Sequence, residues 1–185
     1  MADPSDARSL RRQQVHAEVR GAAVALMTER GFDGVTVEEI AASTSVSPST
    51  IYRHFGTKEA MVLTPGRPLL VVRRVASDSK RADRAAIRRA TNRVYGKSDG
   101  ALAEMRLVVG EPGLRAQFDR EWAMAAAPLS EAFAARRGEA SDFSGRASAA
   151  AVTAVLALAI CEWASESDKL GPRLDAALDT IVFPE

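Results

Sequence analysis

The sequence predicts an all-α fold, a small three-helix unit followed by a larger helical one, and three observations carry that prediction. Apolar residues recur at intervals of three and four and hardly ever alternate with polar ones, which is the period of helices and not of strands. Residues suited to starting and stopping helices stand at the edges of those apolar stripes. The run Thr64-Pro65-Gly66-Arg67-Pro68 places two prolines around a glycine, which a helix cannot continue through, so it marks a domain boundary. Residues 1–10 are expected to form a disordered tail, residues 11–64 the first unit and residues 65–185 the second.

In the first unit, Val15, Val19, Ala22, Ala23 and Leu26 make one stripe, and Gly31 stands where a helix closes on a left-handed residue, so the first helix ends near Arg30. Thr36 three residues before Glu39 is a capping-box pattern, and a second helix runs from there to about Ser43 with Ile40 and Ala41 inward. Ser47-Pro48 pairs an N-cap with a proline at the first helical position and opens a short third helix, Pro48 to Phe55, stopped by Gly56. Thr57 can cap a fourth helix from Lys58 that the prolines end early. In the second unit, helices are expected at about Leu69 to Ala76, Asp83 to Tyr95, Leu102 to Val109, Pro112 to Arg137 with an interruption or kink at Pro128, Gly145 to Ser165 and Pro172 to Val182.

Composition excludes several classes. Cys161 is the one cysteine, so there is no intramolecular disulfide and no multi-cysteine metal site, which suits a reducing compartment and points to the cytoplasm. The start has no apolar run behind its basic residues and does not read as a secretory signal. The uncharged stretch Ala147 to Cys161 is shorter than the ~20 residues that span a bilayer, so no membrane helix is expected. Formal net charge is +1, but it is unevenly spread: residues 59 to 100 carry ten Lys/Arg against four Asp/Glu, and residues 101 to 185 carry eight against thirteen. Residues 1 to 58 balance at seven against seven, so a DNA-facing surface there must come from placement on one face.

The second and third helices, joined by about four residues, have the size of a helix-turn-helix, whose second helix enters the major groove. At 100° per residue Ile51 and Phe55 fall together, whereas Ser49 and Arg53 point the opposite way with Thr50 and Tyr52 beside them. Arg53 can donate two hydrogen bonds to a guanine edge, Ser49 and Thr50 can bond bases or phosphates, and Tyr52, His54 and Lys58 can hold phosphates. Double-stranded operator DNA is the partner this face suits.

At these residues the chain resembles the TetR family of bacterial transcriptional regulators. The matching run is Gly31-Phe32, Thr36-Val37-Glu38-Glu39-Ile40-Ala41, Val46-Ser47-Pro48-Ser49-Thr50-Ile51-Tyr52-Arg53-His54-Phe55 and Lys58-Glu59-Ala60. The resemblance implies that Thr36, Thr50, Tyr52, His54 and Lys58 contact phosphates, that Pro48, Ser49 and Arg53 meet bases, and that the second unit is a ligand-binding and dimerisation domain of a homodimeric, ligand-responsive repressor. Two features depart from the family pattern: Thr44-Ser45 stands in the turn where Ala-Gly is usual, and the fourth helix is cut short.

For the second unit the residues themselves offer less. Ala147 to Cys161 is too apolar for a surface helix, so it is either a buried core helix or, with Pro172 to Val182, half of a four-helix dimer seam, and the resemblance favours the seam with Ala154 and Leu158 in it. Phe118 and Trp122, beside Pro128, are candidate walls of a pocket for a small apolar effector, set against an ordinary core stripe. Arg84, Arg88 and Arg89 form a basic face that either extends toward DNA or is simply solvated. His16 is expected in solvent, and His16 and His54 are not at ligand spacing, so neither a metal nor another cofactor is expected. Cys161 near Trp163 reads as core packing. A protein-interaction module with a purely structural helix-turn-helix is the competing reading, and the exposed Ser49, Tyr52, Arg53 and Lys58 argue against it. An enzyme is weaker still, because no Gly-rich phosphate loop, nucleophile elbow or paired acid cluster is present.

Overall fold

The computed structural model describes residues 4–63, 65–77, 84–96, 100–166 and 169–181, and among them there is no strand. The chain divides into two compact units, Met1–Thr64 and Pro65–Glu185. Helix α1 spans Pro4–Arg30, α2 Val37–Ala42, α3 Pro48–Phe55 and α4 Glu59–Val62. In the first unit Val19, Ala23 and Met27 of α1 are fully buried together with Ile40, Ile51, Met61 and Val62, so one small core holds the four helices. Helix α1 begins seven residues earlier than the tail expected at residues 1–10 allows. Pro4 is tolerated in a first turn and nothing from Ser5 to Leu10 breaks a helix; since residues 8–14 are exposed, local propensity and not packing carries that extension.

The short α4 is held from an unexpected direction. Arg20 of α1 donates through Nη1 to the carbonyl oxygens of Leu63 at 2.7 Å and Ala60 at 3.3 Å, and through Nη2 to that of Val62. These are the carbonyls that a helix end leaves without partners, so a guanidinium from another helix completes an element too short to persist alone.

The second unit consists of α5 Arg67–Ser77, α6 Arg84–Thr91 continuing into a π-helical segment Asn92–Gly96, α7 Ala101–Gly110, α8 Pro112–Arg137, α9 Phe143–Glu166 and α10 Leu170–Asp179. Helices α8 and α9 lie along each other, with α7 and α10 also against α9 and α5 against α8. Several boundaries fall earlier than the periodicity placed them. Pro68 and Pro172 sit inside the first turns of α5 and α10, where a missing N–H costs no hydrogen bond. Asp142 accepts from the Gly145 N–H at 2.7 Å and so starts α9 before Gly145. Asp83 and Val182, expected within helices, lie outside the described residues.

The interruption expected at Pro128 is absent: α8 is helical throughout. Pro128 cannot donate to the carbonyl of Met124, but Met124 is 72% exposed, so water can satisfy the oxygen, while Leu129, Phe133 and Ala134 on the inner side anchor the helix. Helix α9 is long and apolar enough to cross a membrane by length and composition alone, yet more than half of its apolar window is buried within the unit. Val152, Leu156, Ile160 and Trp163 are among the residues that make it a core helix. Cys161 is buried there, and that burial pushes its thiol up to about 11, which keeps it an unreactive thiol.

Candidate nucleic-acid interface

Helices α2 and α3 pack on one another, and α2 also packs on α1. Ser47 starts α3 by accepting from the Thr50 N–H at 3.4 Å, Pro48 follows at the first helical position, and Gly56 ends the helix at φ 73° with its N–H donating to the Tyr52 carbonyl at 2.9 Å. A side chain at that φ would be strained, so the glycine fixes where the reading helix stops. Between these caps Ile51 is fully buried, and Pro48, Ser49, Tyr52 and Arg53 are exposed, Tyr52 at 48%. Thr50 and His54 are half-buried at the edges of the same face.

Thr36 caps α2 and is itself occupied. Its Oγ1 accepts from the Glu39 N–H at 3.2 Å and donates to Glu39 Oε2 at 2.9 Å, while its backbone N–H donates to the same oxygen at 2.8 Å. The backbone N–H of Thr36, then the Arg30 guanidinium at 2.8 Å and the Thr36 hydroxyl, hold the Glu39 carboxyl at about 2. The capping box read from the sequence is therefore present.

The turn with Thr44-Ser45 in place of Ala-Gly is built from side chains. Thr44 Oγ1 donates to the Ala41 carbonyl at 3.1 Å and accepts from the Val46 N–H at 3.2 Å. Glu18 of α1 accepts from the Ser45 N–H at 2.5 Å and from Ser45 Oγ at 3.0 Å, and those two hydrogen bonds, the backbone one first, lower the Glu18 carboxyl below its usual range. Hydroxyls and a carboxylate thus do the work of a compact turn.

Two side chains lie elsewhere than the sequence suggests. The Lys58 ammonium faces inward, donating to the carbonyls of Phe32 at 2.7 Å and Val35 at 3.2 Å, with its Nζ 4.3 Å from the centre of the Phe32 ring. It joins the start of α4 to the loop between α1 and α2. His16, expected in solvent, is half-buried with its ring 4.5 Å from Phe55 and 5.4 Å from His54. Its Nε2 is buried without a hydrogen-bond partner among the described residues, and desolvation first, then the charges of His54, Arg12 and Arg20, lower its pKa. The fold thus brings together two histidines that the sequence keeps apart, but no group of three or more metal-ligating side chains forms among the described residues.

In the second unit Phe118 and Trp122 are 3% and 1% exposed and pack with Tyr95 as an aromatic cluster, so both belong to the core. Ala154 and Leu158 lie on the outside of α9, where Ala154 is exposed and Leu158 is 52% exposed. They border a groove of about 330 Å³ between α8 and α9, with Trp122 at its floor and Arg115 and Asp119 at its rim. Arg84 pairs with Asp179 and Arg88 with Asp175 at 2.6 Å, so the basic face on α6 is met by acids of α10.

A capped, outward-facing reading helix in a small four-helix unit, attached to a second helical unit, defines a helix-turn-helix regulator. Comparison with known proteins agrees. Residues 20–64 match the description of bacterial regulatory proteins of the tetR family, and residues 77–183 match the MftR C-terminal domain. The chain is 33% identical over 178 residues to the HTH-type transcriptional regulator TcmR of Streptomyces glaucescens, spanning 86% of this chain and 79% of that one. It is 40% identical over 53 residues, 29% of its length and 27% of the relative's, to the HTH-type transcriptional regulator YdeS of Bacillus subtilis. Its fold matches the crystal structure of a TetR-family transcriptional regulator from Mesorhizobium loti with a TM-score of 0.55 at 20% identity, covering 92% of this chain and 96% of that one. The protein belongs to the TetR family: it is a DNA-binding transcriptional regulator and not an enzyme.

Proposed function

We propose that the protein is a cytoplasmic repressor that binds a palindromic operator as a homodimer and leaves it when a small, largely apolar molecule occupies the second unit. The observation that carries this reading is the division of α3, with Ile51 wholly buried and Ser49, Tyr52 and Arg53 turned outward between two firm caps. Pro48, Ser49 and Arg53 meet base edges, and Thr36, Thr50, Tyr52 and His54 meet phosphates. Lys58 acts on binding indirectly, through the loop it holds. One short helix reads too few base pairs for useful genomic specificity, so a dimer with half-sites one helical turn apart follows, ~34–36 Å between reading helices.

The groove between α8 and α9 supports the dimer, since its small residues permit close helix approach and Leu158 is a large apolar side chain left exposed beside it. We read the seam as α8 with α9, in place of the expected α9 with α10, because the exposed groove with Ala154 and Leu158 lies on that side. Repression requires only that a bound dimer cover a promoter. Release requires that the effector favour an arrangement of the dimer that fits the operator poorly, because a ligand that binds both arrangements equally shifts nothing.

Fragments selected from a random DNA pool test the reading: a two-fold symmetric consensus bound by a dimer supports it, and an asymmetric consensus or binding by a monomer refutes it. Any effector must in turn bind more weakly by the same factor when operator is present.

A further inference from the structure

The first unit carries seven Lys/Arg, and its own fold engages three of them. Arg20 donates to the carbonyls that end α4, Arg30 pairs with Glu39 at 2.8 Å, and Lys58 is held by the carbonyls of Phe32 and Val35. Arg53 stands on the exposed face of α3. The remaining three, Arg8, Arg11 and Arg12, are crowded into the early extension of α1, and all three are exposed.

This placement works against the helix that bears it. Arg8 lies three and four residues before Arg11 and Arg12, where like charges on a helix repel, and no Asp or Glu stands from Arg8 to Ala17 to offset it. The next carboxylate, Glu18, is already engaged by Ser45. The core gives nothing back, since residues 8–14 are exposed. A basic segment outside the core suits a partner of opposite charge, and its place beside the reading helix decides which. The His16 ring lies 5.4 Å from that of His54 and 4.5 Å from that of Phe55, so α1 passes the last turn of α3. Arg12 is one turn before His16, close enough for its charge to act on that ring, and Arg8 is one turn further out. Their positions stand ~6 and ~12 Å along the helix axis from His16.

We propose that Arg8, Arg11 and Arg12 form a second DNA-contact element, which binds backbone phosphates beyond the bases that α3 reads. It needs only that the protein binds DNA, not that it represses or answers to a ligand. Phosphate neutralisation by Lys and Arg supplies most of the affinity that does not depend on sequence. Without the extension, Arg53 is the one Lys/Arg of the first unit left to provide it. A helix ~10–12 Å across does not enter a minor groove ~6 Å wide, so the arginines meet the phosphates that edge the groove and not the bases within it. The element therefore adds affinity for any duplex and leaves the choice of sequence to α3. Phosphates also relieve the repulsion between Arg8 and its two neighbours, which the free protein bears unaided.

The test is a salt titration of DNA binding by fluorescence anisotropy, on the full-length protein and on a triple variant, Arg8→Gln with Arg11→Gln and Arg12→Gln. Glutamine has nearly the helix propensity of arginine, and circular dichroism checks that the helix persists. The slope of log affinity on log salt should fall by about two to three units for each chain bound, and operator and random DNA should lose affinity by similar factors. Arg73→Gln with Arg74→Gln and Arg93→Gln removes the same charge from exposed positions of the second unit and should leave the slope nearly unchanged. A further readout needs no variant: ethylation of phosphates outside the bases selected by α3 should interfere with binding of the unsubstituted protein. An unchanged slope in the triple variant, an equal fall from the second-unit variant, a loss confined to operator, or no interference outside those bases would overturn the proposal. So would a changed mass of the free triple variant in sedimentation, which would make the extension a contact between copies of the chain.

Discussion

The Lys58 ammonium donates to the carbonyl oxygen of Phe32 at 2.7 Å and also caps the face of its ring, tying the start of α4 to the loop between α1 and α2. A phosphate ligand and a structural clasp make opposite predictions for this residue. Lys58→Met should cost ~1–2 kcal/mol of stability, the range for a charged hydrogen bond that is partly open to water, and lower Tm. The salt dependence of DNA binding should keep its slope. A slope smaller by about one unit with unchanged Tm would return Lys58 to the phosphate backbone.

Arg53 and Tyr52 lie side by side on the exposed face of α3, and they should fail differently. Arg53→Ala should relax preference at one operator position and cost ~1–3 kcal/mol there, leaving affinity for random DNA nearly intact. Tyr52→Phe, which removes only the hydroxyl, should weaken specific and random DNA by similar factors. Competition binding with operator variants separates the patterns, and uniform loss from Arg53→Ala would remove its assignment to a base.

The parts of the site legible in the sequence are those built from neighbours along the chain. Ser47-Pro48, Thr36 with Glu39, and Gly56 signal their caps within four residues, and the burial of Ile51 against the exposure of Arg53 follows from helical period alone. The contacts that stayed hidden join distant segments. Glu18 reaches a turn 27 residues away, Arg20 reaches the end of α4, and His16 meets His54 and Phe55 only once α1 and α3 have packed. All three lie on the polar side of α1, where periodicity assigns solvent; no local rule distinguishes a solvated Arg or His from one meeting another helix. Phe118 and Trp122 read equally well as cavity wall or core for the same reason, since their companion Tyr95 comes from a different element.

Acid should loosen the first unit in two stages. The folded pKa of His16 is lowered from 6.5, so as pH falls the unfolded chain takes up this proton first. Stability from a neutral His16 is complete above 6.5 and is lost as pH falls from there toward the folded value. Relative to His16→Phe, the unsubstituted protein should therefore lose Tm over that window, and parallel curves would show that His16 is solvated. Glu18 and Glu39 act lower. Their folded pKa values lie below 4.5, Glu39 at about 2, so their contribution is complete above 4.5 and fades as pH falls further. The advantage of the unsubstituted protein over Glu39→Gln should shrink across that lower range and not before it.

The proposed dimer seam gives the sharpest choice, because the sequence reading and the groove we favour put it on different helix pairs. Ala147 to Cys161 with Pro172 to Val182 suggests α9 and α10, and within one chain α10 packs on α9 with Leu174 and Leu178 buried, while Asp175 and Asp179 pair with α6. The exposed small and apolar surface runs between α8 and α9, where Ala123, Ala126, Ala150, Ala154 and Leu158 line one groove. Burying Leu158 against a partner would contribute ~1.5–3 kcal/mol, and the alanines let two such surfaces approach closely. An arginine placed there cannot shed its water without a counter-charge, so Ala154→Arg should yield a folded monomer in sedimentation and lose operator affinity. Its Tm at high dilution should stay near that of the equally dilute unsubstituted protein, since an exposed substitution barely disturbs the fold within one chain. Ala176→Arg, on the exposed side of α10, should remain dimeric. The reverse outcome, a monomer from Ala176→Arg and a dimer from Ala154→Arg, would move the seam to α9 and α10. If both variants stayed dimeric, neither groove nor α10 could be the surface on which two copies meet.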